Sequence, residues 1–135
     1  MTLPVPPAGD PGRCVLRHVA ETNIVRATLS GPLDLGAFAH CASQALALAR
    51  KHATARLLFD YRNVHPAIPS ADIHRMAASA EAHGLTPRHR IAMLYATRTL
   101  EPMDMLLWEN VFTERGYETR TFVDEDQALQ WLSMR

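Results

Sequence analysis

The chain has 135 residues, and its 14 Lys and Arg are balanced by 14 Asp and Glu, so the formal charge at neutral pH is zero. That length is one ordinary domain, and 47% hydrophobic with 21% charged residues describes a packed globular chain, not a disordered one. Zero net charge gives no long-range field to draw in a phosphate backbone, and no run approaches the roughly 20 apolar residues of a membrane span, so nucleic acid and membrane insertion are excluded as expectations.

In chain order, residues 1–13 carry Pro4, Pro6, Pro7 and Pro11 with Gly9 and Gly12. Proline removes backbone donors and glycine raises the entropy cost of ordering, so this segment reads as a disordered tail. It lacks the basic start and apolar run of a secretory leader. The folded domain is expected over residues 14–135. Residues 14–19 and 23–29 are two short β-rich runs separated by a polar break, the pattern of an antiparallel hairpin. Asp34 then stands as the cap of a helix in which Leu35, Phe38, Ala42, Leu46 and Ala49 keep helical spacing. Arg50, Lys51 and His52 close it with the charge that suits the negative end of the dipole.

Leu57, Leu58 and Phe59 form a continuous apolar run, which fits a central strand covered on both faces; the chain is expected to leave that strand at Asp60. Pro66 and Pro69 extend the next loop, Ser70 is placed to cap a helix running to His83, and Gly84 suits its C-terminal turn. Residues 91–95 read as another buried strand, Pro102 as the first turn of a helix ending at Gly116, and residues 117–123 as a strand near an edge. Asp124 to Gln127 resemble a capping box opening a last helix over residues 128–134. The order β-β-α-β-α-β-α-β-α predicts a single α/β domain with a mixed, mostly parallel sheet of about five strands, right-handed crossovers and an antiparallel first strand.

This order, the glycine at position 31, the run LLFDYRN (residues 57–63), the strand RIAMLY (residues 90–95) and the ending DEDQALQWL (residues 124–132) resemble the STAS/SpoIIAA-like domains. These are small bacterial domains with the fold of the anti-sigma-factor antagonists. The resemblance covers residues 14–132 and implies a β-α superhelix, with mostly non-enzymatic roles in protein interaction or ligand sensing. Regulatory members carry a phosphorylatable serine in an Asp-Ser-x-Gly turn; here Ser70 occupies a similar position, preceded by Pro69 and followed by Ala71 and Asp72. The fold is also related to the lipid-exchange CRAL-TRIO domains, which are generally larger.

Among candidate chemical groups, Ser70 is read as a helix cap first and as a phosphosite second. Asp60, Tyr61 and Arg62 are expected at the carboxyl edge of a central strand, where Asp60 could serve as a general base and Arg62 as an anion clamp. The structural alternative ties Asp60 to loop backbone and Arg62 to a neighbouring carboxylate. The seven histidines show no ligand spacing: His74 and His83 are about 900° of helical turn apart, so no metal is expected. Cys14 and Cys41 form neither a metal-type CxxC pair nor a dense disulfide framework; Cys41 reads as a small buried hydrophobe, and a reducing cytoplasm is the expected compartment. No nucleophile elbow, P-loop or dinucleotide fingerprint occurs, and no cofactor is expected.

Residues 101–115 carry two apolar stripes, Met103, Leu106, Leu107 and Val111 on one side and Met105, Trp108 and Phe112 on another. A helix covering a sheet needs one. The second stripe either meets the helix over residues 70–83, through Ile73, Met76 and Ala80, or forms an interface with a partner or a second copy. The resulting reading is a cytoplasmic, non-enzymatic interaction or regulatory module that binds a protein partner or forms a homodimer. Its alternatives are a carrier of a small apolar ligand or lipid, using Met76, Met103, Met105 and Trp108, and an enzyme with a site near Asp60.

Overall fold

In the computed structural model, which describes residues 12–66, 68–97 and 102–134, the elements follow the order read from the pattern. They are β1 (Arg13–Val19), β2 (Ile24–Gly31), α1 (Leu35–Lys51), β3 (Arg56–Val64), a 3₁₀ turn (Ser70–Asp72), α2 (Ile73–Ala82), β4 (Arg90–Leu94), α3 (Pro102–Glu114), β5 (Glu118–Phe122) and α4 (Glu125–Ser133). Of the tail expected over residues 1–13, residues 1–11 lie outside the described residues and Arg13 already belongs to β1.

The five strands form one sheet in the order β1-β2-β3-β4-β5. β1 pairs antiparallel with β2 and every later neighbour is parallel, as the sequence pattern predicts. The hairpin turns at Asn23, which takes the left-handed region at φ 55°, a conformation asparagine tolerates better than most residues. The sheet carries helices on both faces. Leu57 and Phe59 join the larger core with Leu29, Phe38, Leu46 and Trp108, while Leu58 joins a smaller one with Ile24, Leu94 and Leu132 of α4. An apolar run with no polar alternation therefore does belong to a strand buried on both sides.

Local signals set the helix ends. Asp34 caps α1, its carboxylate accepting from the Ala37 N–H at 2.7 Å. Asp34→Ala should lower stability by about 1 kcal/mol, read as a shift in the urea midpoint at unchanged slope. Asp124 caps α4 in the same way, accepting from the Gln127 N–H at 3.1 Å. Ser70 does not cap α2. The backbone enters that helix through the 3₁₀ turn, in which the Asp72 N–H bonds Pro69 O at 2.9 Å, so the first free N–H groups are already partly satisfied without a side chain.

Two further expectations are corrected. The strand does not end at Phe59: β3 continues to Val64 because β2 follows it, pairing Gly31 with Val64 across a register shift between Thr28 and Ser30. Cys41 is not a free buried thiol. It is bonded to Cys14, with the two Cα atoms 5.9 Å apart. Cys14 alternates with exposed Arg13 and Val15 on β1, which turns its side chain toward α1, where Cys41 is fully buried. Disulfides persist in oxidising compartments and are rare in the cytosol, so this pairing pulls against a cytoplasmic location.

Candidate functional site

Because β3 runs on past Phe59, its residues alternate across the sheet: Asp60 and Arg62 share one face and Tyr61 takes the other. Asp60 is 2% exposed and lies under a net of cations. Its Oδ1 accepts from the Arg62 backbone N–H and from Arg62 Nε, both at 3.0 Å. Its Oδ2 accepts from Arg62 Nη2 at 2.8 Å and from Arg26 Nη2 at 3.0 Å. Glu125 Oε1, at the first turn of α4, receives both guanidiniums, Arg26 at 2.7 Å and Arg62 at 2.9 Å. Burial alone would raise the Asp60 pKa, but the bonds from Arg62 and Arg26 outweigh it and hold the carboxyl below its usual range. A carboxylate so held is a poor proton acceptor near neutrality, and Arg62 is already occupied by two carboxylates. The pairing is that of the structural alternative, with a further partner, Glu125, that the sequence did not reveal.

Tyr61 points to the opposite face and is 2% exposed. Its ring stacks on Tyr95 at 5.1 Å and meets Trp108 at 5.5 Å, and burial pushes its phenol far above the ordinary value. The Trp108 ring also meets Tyr95 edge-on at 5.8 Å, and its Nε1 has no hydrogen-bond partner among the described residues.

The α3 helix resolves the question of its two stripes. Met105, Trp108 and Phe112, the residues expected at an interface, are buried, at 9%, 1% and 2% exposure. The helix packs on β5 and against α2, and that seat turns the 105-108-112 line, with Val111, into the larger core. Arg115 ties the end of the helix to Glu81 of α2 at 2.7 Å. The surplus apolar surface lies on the other stripe: Met103 is 82% exposed, Leu106 57% and Leu107 39%. Their i, i+3, i+4 spacing was visible in the sequence, but nothing there said which stripe the sheet would take.

Ser70 is exposed, and its hydroxyl donates to Asp104 Oδ1 at 3.4 Å, so it stands beside the first turn of α3 and next to this apolar stripe. Within the larger core, the space bounded by Phe38, Leu46, Tyr61, Met93 and Phe112 amounts to about 10 Å³. That is no more than one water needs and far below the several hundred Å³ of a ligand pocket. Among the described residues, no three His, Cys, Asp or Glu side chains gather into a metal-ligand set, and no helix is long and apolar enough to cross a membrane.

Two solved structures share this architecture. An anti-sigma factor antagonist from Mycobacterium paratuberculosis superposes with a TM-score of 0.60 at 15% identity, over 91% of this chain and 95% of its own. The anti-sigma factor antagonist SpoIIAA in its unphosphorylated form gives 0.50 at 14% identity, over 91% and 99%. At such identities the likeness is one of fold. No curated protein matches the chain in sequence. The SpoIIAA-like family profile, however, matches residues 24–133, from the first residue of β2 to the last of α4, and the chain belongs to the SpoIIAA-like family.

Proposed function

We propose that the chain is a non-enzymatic regulatory module that docks a partner protein on the exposed stripe of α3. The observation that carries this reading is the exposure of Met103, Leu106 and Leu107 on one helix whose other side fills the core. Three large apolar side chains side by side are costly to leave in water, and such patches mark interaction sites. The family and the fold of the two antagonists support a role in protein interaction. The paired state of Asp60 supports the absence of catalysis there.

Ser70 sits at the rim of this surface as its candidate switch. A phosphoryl group on its hydroxyl would bring nearly two negative charges against Asp104 and alter the charge around Met103. A photo-crosslinking residue at position 106 should give a discrete adduct in cells, and Met103→Asp should abolish it while leaving the circular dichroism unchanged. The same residue placed at exposed Glu114 should give none. Adducts equally strong from position 114, or none from 106, would remove the basis for this surface. Sedimentation at micromolar concentration separates a second copy of the chain from a different partner.

A further inference from the structure

The amino ends of β3 and β4 frame a cleft of about 480 Å³, formed where the end of α1 faces the loop between α2 and β4. It is remote from the α3 stripe, which follows the carboxyl end of β4. Arg50 reaches it from the last turn of α1, and Arg88 and His89 from the loop; no Asp or Glu lines it. No salt bridge holds either guanidinium among the described residues.

Helix ends often consume such side chains, but here backbone bonds, with His83 Nδ1 on Ser79 O at 2.8 Å, close the two ends. Ala53 N–H bonds Arg50 O at 3.2 Å and Thr54 N–H bonds Ala49 O at 3.0 Å. At the end of α2, Gly84 N–H bonds Glu81 O at 3.1 Å and Leu85 N–H bonds Ala80 O at 3.0 Å. These carbonyls are therefore satisfied without the arginines.

Gly84 turns at φ +110°, and a Cβ there would stand 3.0 Å from Arg50 Nη1, so the glycine leaves the guanidinium its space. His89 Nδ1 faces the Thr86 backbone, 3.1 Å from its N–H and 3.2 Å from its carbonyl, and no hydrogen bond engages Nε2 among the described residues. Burial lowers the His89 pKa, the bond to the Thr86 backbone offsets part of this, and the positive fields of Arg88 and Arg50 lower it further.

We propose that this cleft binds a small soluble phosphomonoester, Arg50 and Arg88 clasping the dianion and His89 completing its hydrogen bonds. Two guanidiniums without a carboxylate partner among the described residues match a doubly charged group, and their planar donor forks suit phosphate oxygens. The volume lies within the range of small-ligand sites. Its apolar wall is made of Ala49, Ala53 and Ala55, with no Phe, Tyr or Trp ring to sandwich a base, which favours a sugar or short-chain ester over a nucleotide.

The test is a titration of the isotope-labelled full chain with glycerol 3-phosphate, against sodium chloride at matched ionic strength, followed through the backbone amides. Saturable shifts are expected at Gly84, Thr86, Arg88 and His89. Arg50→Gln and Arg88→Gln should each raise the dissociation constant about tenfold, and Arg120→Gln on β5 should leave it unchanged. Both cleft positions are exposed, so the spectra of the two variants should otherwise overlay the parent. Shifts reproduced by chloride, shifts that survive Arg50→Gln and Arg88→Gln combined in one chain, or binding to phosphatidic acid vesicles without binding to the soluble ester would overturn the assignment.

Discussion

Asp60→Ala should lower the stability of the fold by about 3 to 5 kcal/mol, measured as the urea midpoint at constant slope. The carboxylate is buried, and removing it leaves Arg26 and Arg62 sharing only the half-exposed Glu125. Two guanidiniums pressed together with one carboxylate lost are worse placed than the intact net, because their desolvation is no longer offset. Glu125→Ala, by contrast, should cost about 1 kcal/mol or less, since its partners remain paired with Asp60 and water screens the exposed side of the net. Equal losses in the two variants would mean that burial at Asp60 is not what sets the cost. The pH dependence carries the same sign. The folded carboxyl is held below its usual range, while in the unfolded chain it regains about 3.9. Its contribution is therefore complete above about pH 5 and is lost as acid titrates through 3.9 toward the lower folded value. Stability of the parent should fall across that window, and the Asp60→Ala variant should show a flatter slope there.

Reduction of the Cys14–Cys41 bond should cost about 3 to 4 kcal/mol, the loop-closure value for a link between residues 27 apart. The bond fastens the outer strand β1 to α1, so cutting it frees the unfolded chain and also releases one edge of the sheet. The Cys14→Ser, Cys41→Ser pair should match the reduced parent and be indifferent to reductant. An identical urea midpoint for the parent with and without reductant would show that the bond contributes nothing. Alkylation at the moment of lysis, read by intact mass, then reports whether the chain carries the bond where it is made, and so bears on its compartment.

The elements were largely legible because each rests on a local signal. Asp34 and Asp124 announce their helices, and the unbroken Leu57, Leu58, Phe59 run announces a strand covered on both sides. What escaped was decided by residues far apart. Asp60 and Arg62 look like a strand exit because both are polar, yet their partners Arg26 and Glu125 lie 34 and 63 positions away. Cys14 and Cys41 sit on different elements whose packing brings them together, and no spacing rule links a strand to a helix in that way. In α3 both apolar stripes were plain, and only its seat on β5 and α2 chose the inner one. The cleft at Arg50, Arg88 and His89 left no motif, since its parts come from two loops and a helix end.

The monotonic strand order has a consequence for where chemistry could reside. From β2 onward each parallel strand is added beside the previous one, so right-handed crossovers lay α1, α2 and α3 on the same side of the sheet. In doubly wound sheets the connections diverge to opposite faces at a topological switch point, and the crevice that opens there receives the ligand. The order of the parallel strands never reverses, so they open no such crevice at Asp60.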